Sequence, residues 1–327
     1  MRTLVTGSAG HLGEALVTTL RARGETVIGL DIAASPCTDL IASVADRDAV
    51  RAAMAGVDAV LHTATLHKPH VVTHSKQAFV DTNVSGTLAL LEAAVEAGVK
   101  RFVFTSTTSM FGQAMRAGAD QPAVWVTEDL QPVPRNIYGV TKTAAEGLCE
   151  LIHRRDGLPV LILRTSRFFP EADDDESRRA AMADDNLKTL EFLHRRVDIE
   201  DVVDAHLLAR ERAPALAFDR FIVSATTPFR PEDAHALRHD AAAVLERRLP
   251  GTAAVLTSLG WRGPPDMDRV YDNAHARTRL GWAPRHDFST VLQRVRDSGS
   301  WRSALARGIG IKGYHEASFE EGPFPVE

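Results

Sequence analysis

A chain of 327 residues that is 44% hydrophobic can fill one large α/β domain, or a major domain with a smaller one attached. A net charge of -5 with 25% charged residues shows no basic surplus for nucleic acid, and the one acidic run, "EADDDE" at 171–176, reads as a solvated loop. Cys37 and Cys149 have no CxxC spacing, Arg2 leads straight into a strand-like run, and no apolar stretch reaches spanning length, so the expectation is a cytoplasmic protein bound to neither nucleic acid nor membrane.

In chain order, the strand candidates are "TLVT" at 3–6, "TVIGLD" at 26–31, "DAVLHTA" at 58–64, "RFVFTS" at 101–106 and "PVLILR" at 159–164. Stretches with apolar residues at three-to-four spacing lie between them, at 14–24, 46–56, 75–98 and 138–157, each closing on a glycine suited to a C-cap. Alternating β and α predicts a doubly wound parallel sheet of Rossmann type, an α/β fold. Beyond Arg164 the order loosens to a polar segment through Arg196, a helix-like "EDVVDAHLLARER", a strand-like "RFIVSA", and helices at 231–248 and 287–297. The expected division is a dinucleotide-binding domain over 1–164 with 197–225 returning to it. A smaller, mainly helical substrate region takes 165–196 and 226–307, and 308–327 forms an aperiodic arm.

Within the first βα unit, Gly7, Gly10 and Gly13 follow a strand and open a helix, an order that lets backbone approach a pyrophosphate at a helix N-terminus. Asp31 ends the second strand, 18 residues past Gly13, where a carboxylate accepts from a ribose 2′-OH and repels a 2′-phosphate; this favours NAD over NADP. Further on, "YGVTK" places Tyr138 and Lys142 on one helical face. An ammonium beside a phenol stabilises the phenolate, so Tyr138 is the candidate base and acid and Lys142 the group that lowers its pKa. The preceding strand ends in "FTSTTSMFG", whose hydroxyls fall where ligands bind in open α/β sheets.

These motifs, with "LDI", "VLHTA", "NVSGT", "VDIEDVVDAH" and "LGWAP" in order over residues 1–297, resemble the extended short-chain dehydrogenase/reductases, the group of NAD-dependent epimerase/dehydratases that contains UDP-galactose 4-epimerase. By position the resemblance implies a pyrophosphate turn of Gly7, Gly10 and Gly13 with backbone from Ala9, His11 and Leu12. It puts Asp31 and Ile32 at the adenosine ribose, and Leu61, His62, Thr63 and Ala64 along the phosphates and ribose. Asn83 matches a buried brace near the site, grouped with Thr105 on the cofactor side. Thr107 takes the catalytic Ser/Thr position with Ser106 beside it against substrate. Lys142 also bonds the nicotinamide ribose, and Thr165 and Ser166 pass the nicotinamide amide. Family members commonly dimerise through the helices at 75–97 and 138–155, so a homodimer is expected.

The chain departs from the family's branches in informative places. Thr108 and Ser109 replace the Asp-Glu pair of the 4,6-dehydratases, and no cysteine lies nearby as in the 3,5-epimerase/reductases. Sugar 4-epimerisation is then the leading reading, with oxidation or reduction of a sugar acid or another hydroxy or keto compound as the alternative, and a non-enzymatic NAD sensor as a third. Arg167 replaces the asparagine that contacts sugar nucleotides. It binds a phosphate or carboxylate, or else pairs with the run at 171–176. The family's glycine-rich strand that grips the nucleotide base is missing. His62, His67, His70 and His74 cluster without accompanying carboxylates or thiolates, so no metal is expected, and His67 is assigned to a polar loop facing substrate.

Overall fold

The computed structural model describes residues 1–118, 120–172 and 180–313. Apolar, β-branched runs form β1 (Arg2–Thr6), β2 (Thr26–Asp31), β4 (Ala59–His62), β5 (Arg101–Thr107), β7 (Val160–Thr165) and β8 (Phe218–Val223), with a two-residue β3 (Leu40–Ile41) at one edge. They make a seven-stranded sheet in the order β3-β2-β1-β4-β5-β7-β8, and every pairing is parallel. The strand order reverses on either side of β1, which opens a crevice at the carboxyl ends of β1 and β4.

The crossovers include α1 (His11–Ala22), α2 (Arg47–Ala53), α3 (Lys76–Phe79), a π-helical turn at Val80–Ser85 running into α4 (Gly86–Glu96), and α5 (Ile137–Asp156). α5 starts where the Asn136 side chain accepts from the Gly139 N–H and stops at Gly157, whose φ of 72° suits a glycine C-cap. Alternation along each strand divides the core. Val5, Leu61, Val103, Leu161 and Leu163 pack on one face with α1, while Leu4, Val60, Phe102, Phe104 and Ile162 pack on the other with α4 and α5.

Past β7 the structure adds to the sequence reading. The segment read as polar holds α6 (Asp184–Glu191), and α7 (Ile199–Leu216) carries the chain back into β8. The single helix expected over 231–248 is divided into α8 (Ala234–Leu237) and α9 (Ala241–Arg248), followed by α10 (Thr252–Ser258), α11 (Phe288–Ser298) and α12 (Ala304–Ile309). β6 (Val124–Val126) and β9 (Arg269–Tyr271) pair in parallel, far from each other in sequence. A third core joins Leu190, Phe192, Leu237, Val270, Phe288 and Trp301. The expected C-terminal arm begins inside α12, and Lys312 pairs with Glu14 on α1. Residues 173–176 and 314–327 lie outside the described residues.

Candidate active site

The turn from β1 into α1 is a cradle that admits no side chain at Gly7 or Gly13. A Cβ on Gly13 would stand 1.9 Å from the Gly7 carbonyl oxygen, and one on Gly7, at φ +74°, would meet the Ala64 nitrogen at 2.7 Å. α1 starts at Gly10 with no capping side chain, leaving the positive end of the helix to an anion. Asp31, at the end of β2, accepts from the Ala9 N–H at 2.9 Å and the Ala33 N–H at 2.9 Å, so its carboxylate is fixed at the rim of the turn. A close-fitting glycine turn, an uncapped helix start and a carboxylate one strand away fit a dinucleotide. Gly29 is a further requirement that the sequence motif did not reveal, since a Cβ there would lie 1.8 Å from the Cys37 carbonyl oxygen.

Across the crevice, Tyr138 and Lys142 project from the first turns of α5, and both are buried. The Thr107 side chain faces the Tyr138 phenol and lowers its proton affinity, and Thr107 accepts from the Ser109 N–H at 3.1 Å, which fixes its hydroxyl at the end of β5. Lys142 donates to the Thr105 carbonyl at 2.6 Å and sits 4.1 Å from the centre of the Phe104 ring. Burial dominates the electrostatics. It pushes the Tyr138 phenol up to about 12, offset in part by the neighbouring Thr107 hydroxyl, and brings the Lys142 amine down to about 7 despite the charge of Glu146.

Glu146 continues the same face of α5 at the next four-residue step, a signal the sequence carried and the reading passed over. Its buried carboxylate accepts from Ser106 at 2.6 Å and from Arg164 at 2.8 Å. His206 on α7 was also not anticipated. It accepts from or donates to the Thr105 hydroxyl at 2.8 Å and bonds the Val202 carbonyl at 2.8 Å, bracing the strand whose carbonyl holds Lys142.

Several side chains assigned to ligands are occupied by the frame. Ser106, assigned to substrate, points to the opposite side of β5 from Thr105 and Thr107 because strand residues alternate, and its hydroxyl goes to Glu146. The His62 ring lies between the Thr6 and Thr87 hydroxyls at 2.7 and 3.0 Å, and burial lowers it to about 3, so only its backbone is left for a ligand. Asn83 spends its amide on Thr65, Leu66 and Thr141, tying the loop after β4 to α5. The side chains of Leu12 and Leu61 are in the core. Thr63 donates to the Thr6 carbonyl, and Thr165 to the Ser106 carbonyl. Ile32 is 73% exposed beside Asp31. The Ser166 hydroxyl is buried, and among the described residues it has no hydrogen-bond partner.

The mouth of the crevice is built from residues that follow β4 and β7. His67 stacks on Phe169 at 5.6 Å between ring centres, and His11 meets Phe169 edge-on at 5.5 Å. Burial holds the His67 imidazole well below its usual range, and thus neutral. His70 accepts from the His67 N–H at 3.1 Å, and the His70 and His74 rings stand 5.1 Å apart. Within the acidic run, Glu171 approaches His11 at 3.0 Å, and Arg167 Nη1 lies 3.6 Å from Glu191 Oε1. A cavity of about 220 Å³ lies behind Glu191, lined by Leu187, His194, Arg195 and Met267, and neither Thr107 nor Tyr138 reaches it.

Residues 3–218 match the model of the NAD dependent epimerase/dehydratase family. A 3 beta-hydroxysteroid dehydrogenase/Delta 5-->4-isomerase of Mycobacterium tuberculosis is 34% identical over 190 residues, 54% of this chain and 50% of that protein. The chain thus spans about half the length of the first curated relatives it matches, while a UDP-glucose 4-epimerase of Lactobacillus helveticus aligns over 95% of this chain and 100% of its own at 25% identity. Among solved structures, a short-chain dehydrogenase/reductase superfamily protein from Agrobacterium tumefaciens with bound NAD has the same fold, with a TM-score of 0.63 and 24% identity over 91% of this chain and 96% of that one.

Proposed function

We propose, from the premise that this chain belongs to the NAD-dependent epimerase/dehydratase family, that it moves a hydride between NAD and the carbinol carbon of a compact, sugar-like hydroxy compound. The observation that carries this reading is the buried Tyr138 facing Thr107, with Lys142 buried on the same face of α5, at the carboxyl ends of strands beside a glycine cradle. NAD, the family's cofactor, supplies the hydride acceptor when bound, and its positive ring favours the phenolate. Gly7, Gly10 and Gly13 would hold its pyrophosphate and Asp31 its ribose. Thr107 orients the substrate oxygen, Tyr138 takes the hydroxyl proton as the C–H bond gives up its hydride, and Lys142 holds positive charge close to the phenol. In the reverse direction Tyr138 returns the proton to the carbonyl oxygen.

Net oxidation or reduction is favoured over 4-epimerisation by the connection between α6 and α7. Residues 192–198 contain no strand, only a turn and a bridge, and so no element that would grip a nucleotide base. Sugar 4-epimerisation is the second reading, supported by the full-length alignment with a UDP-glucose 4-epimerase. Incubating the purified chain with NAD and a panel of sugars, sugar acids and nucleotide sugars separates them. A dehydrogenase accumulates NADH in step with product, whereas an epimerase keeps its NAD and interconverts sugars with no net reduction. Tyr138→Phe is expected to lower turnover by about 10³-fold with NADH affinity nearly unchanged, and unaltered turnover would remove the assignment.

A further inference from the structure

Arg167 is held near the reacting groups by backbone on both sides. Thr165 pairs in register with Thr107, so Arg167, two residues further along, stands roughly 7 Å beyond the catalytic threonine at the same edge of the sheet. Its N–H donates to the Arg195 carbonyl at 3.3 Å, its own carbonyl accepts from the Val197 N–H at 3.0 Å, and the two chains form a parallel bridge between Arg167 and Arg196. An arginine on a free loop would sweep a wide volume, but this one is anchored at its root.

Its head is aimed by Glu191, a side chain 2% exposed at the end of α6. Arg195 and Arg196 are hydrogen-bonded to the same carboxylate and are buried, whereas the Arg167 side chain is 29% exposed. Arg196 also donates to the Phe169 carbonyl at 2.8 Å. One carboxylate therefore organises both the guanidinium and the aromatic wall that stacks on His67. Immediately before Arg167 lies the buried Ser166 hydroxyl, for which the described residues offer no hydrogen-bond partner, and a polar group buried in this way is costly unless a ligand completes it.

We propose that Arg167, with the Ser166 hydroxyl beside it, receives an anionic group of the substrate, a carboxylate or a phosphate a few bonds from the oxidised carbon, and that this contact sets substrate specificity. The inference rests on the hydride-transfer reading for its catalytic consequence but not for the binding contact itself. A planar fork of N–H donors matches the paired oxygens of either anion, and holding the fork with a buried carboxylate removes much of the ordering cost of binding. Arg167 is a specificity residue, with no part in proton or hydride movement.

The test compares D-glucose, D-glucuronate and D-glucose 6-phosphate on wild type, Arg167→Gln and Arg167→Lys. Binding to the NADH-loaded protein is followed by calorimetry, and turnover with NAD by NADH absorbance. At least one of the two anions is expected to bind wild type at least 10-fold more tightly than glucose, to weaken about 100-fold in Arg167→Gln and to recover in part in Arg167→Lys, with NADH affinity and Tm held. The carboxylate and phosphate arms identify which anion is taken. Equal binding of glucose and both anions, or a loss in Arg167→Gln that is the same for glucose, overturns the proposal, as does failure of both anions to bind. If an anion binds through Arg167 while no panel member is oxidised or epimerised, the anion contact stands and the hydride-transfer reading is what has failed.

Discussion

The two sides of the crevice hold their functional atoms by opposite means. On the cofactor side the working surface is backbone, and close packing shapes it: glycines where a Cβ would collide, hydroxyls bonded to nearby carbonyls, and histidine and asparagine side chains consumed by the frame. On the side proposed for the substrate the structure is held by charge. Arg167, which follows β7, and Arg195 and Arg196, which follow α6, converge on one buried glutamate. Packing tolerates no added atom, whereas a buried ion cluster tolerates no lost charge, so the two sides differ in which substitutions they resist.

Gly13→Ala should do the greatest damage. A methyl group 1.9 Å from the Gly7 oxygen forces the turn apart, and NADH affinity by fluorescence titration is expected to fall at least about 100-fold, with a lower Tm. Unchanged affinity would mean that the turn is not the cradle. Glu191→Gln probes the other side. Arg195 and Arg196 lose their shared carboxylate, so stability measured by urea unfolding should drop by about 3 kcal/mol while NADH affinity stays within about twofold. A parallel loss of NADH binding would erase the contrast between the two sides.

Smaller effects refine it. Asp31→Ala removes the carboxylate that opposes a 2′-phosphate and frees the Ala9 N–H, so the preference for NAD over NADP in turnover is expected to relax about 10-fold; an enzyme already preferring NADP would contradict the assignment. Lys142→Met carries a stability signature with a definite sign. Burial lowers the amine from its ordinary 10.5 to about 7, so between these values the unfolded chain binds more protons than the folded one. Stability therefore rises with pH through that window, and the cost is fully present below pH 7. The methionine variant should melt a few degrees higher near pH 7, at about 2 °C per kcal/mol, and the gain should vanish toward pH 10.5. A gain independent of pH would show that the amine's burial is not its origin.

Most of the sheet and the reacting trio were readable because they depend on residues close in sequence. Strands reveal themselves by apolar runs, Gly7, Gly10 and Gly13 by their spacing, and Tyr138 and Lys142 by a four-residue step that puts them on one face of α5. The same step leads to Glu146, and alternation along β5 separates Ser106 from Thr107, so both were within reach of the sequence. Other features were not. β3 has only two residues, too few for a period, and β6 is paired with a strand that begins at Arg269. Arg167 could have gone to the acidic run or to a ligand, and its nearest carboxylate among the described residues comes from α6.

What the sequence by itself determined is the β-α order, the glycine turn and the spacing of phenol and amine, because backbone sterics and helix geometry act over a few residues. Only the tertiary structure decided the direction in which burial shifts Tyr138 and Lys142, that His62 and Asn83 serve the frame, and that Arg167, Arg195 and Arg196 meet at Glu191. Desolvation and ion pairing depend on which surfaces meet, and that is set when distant segments pack together.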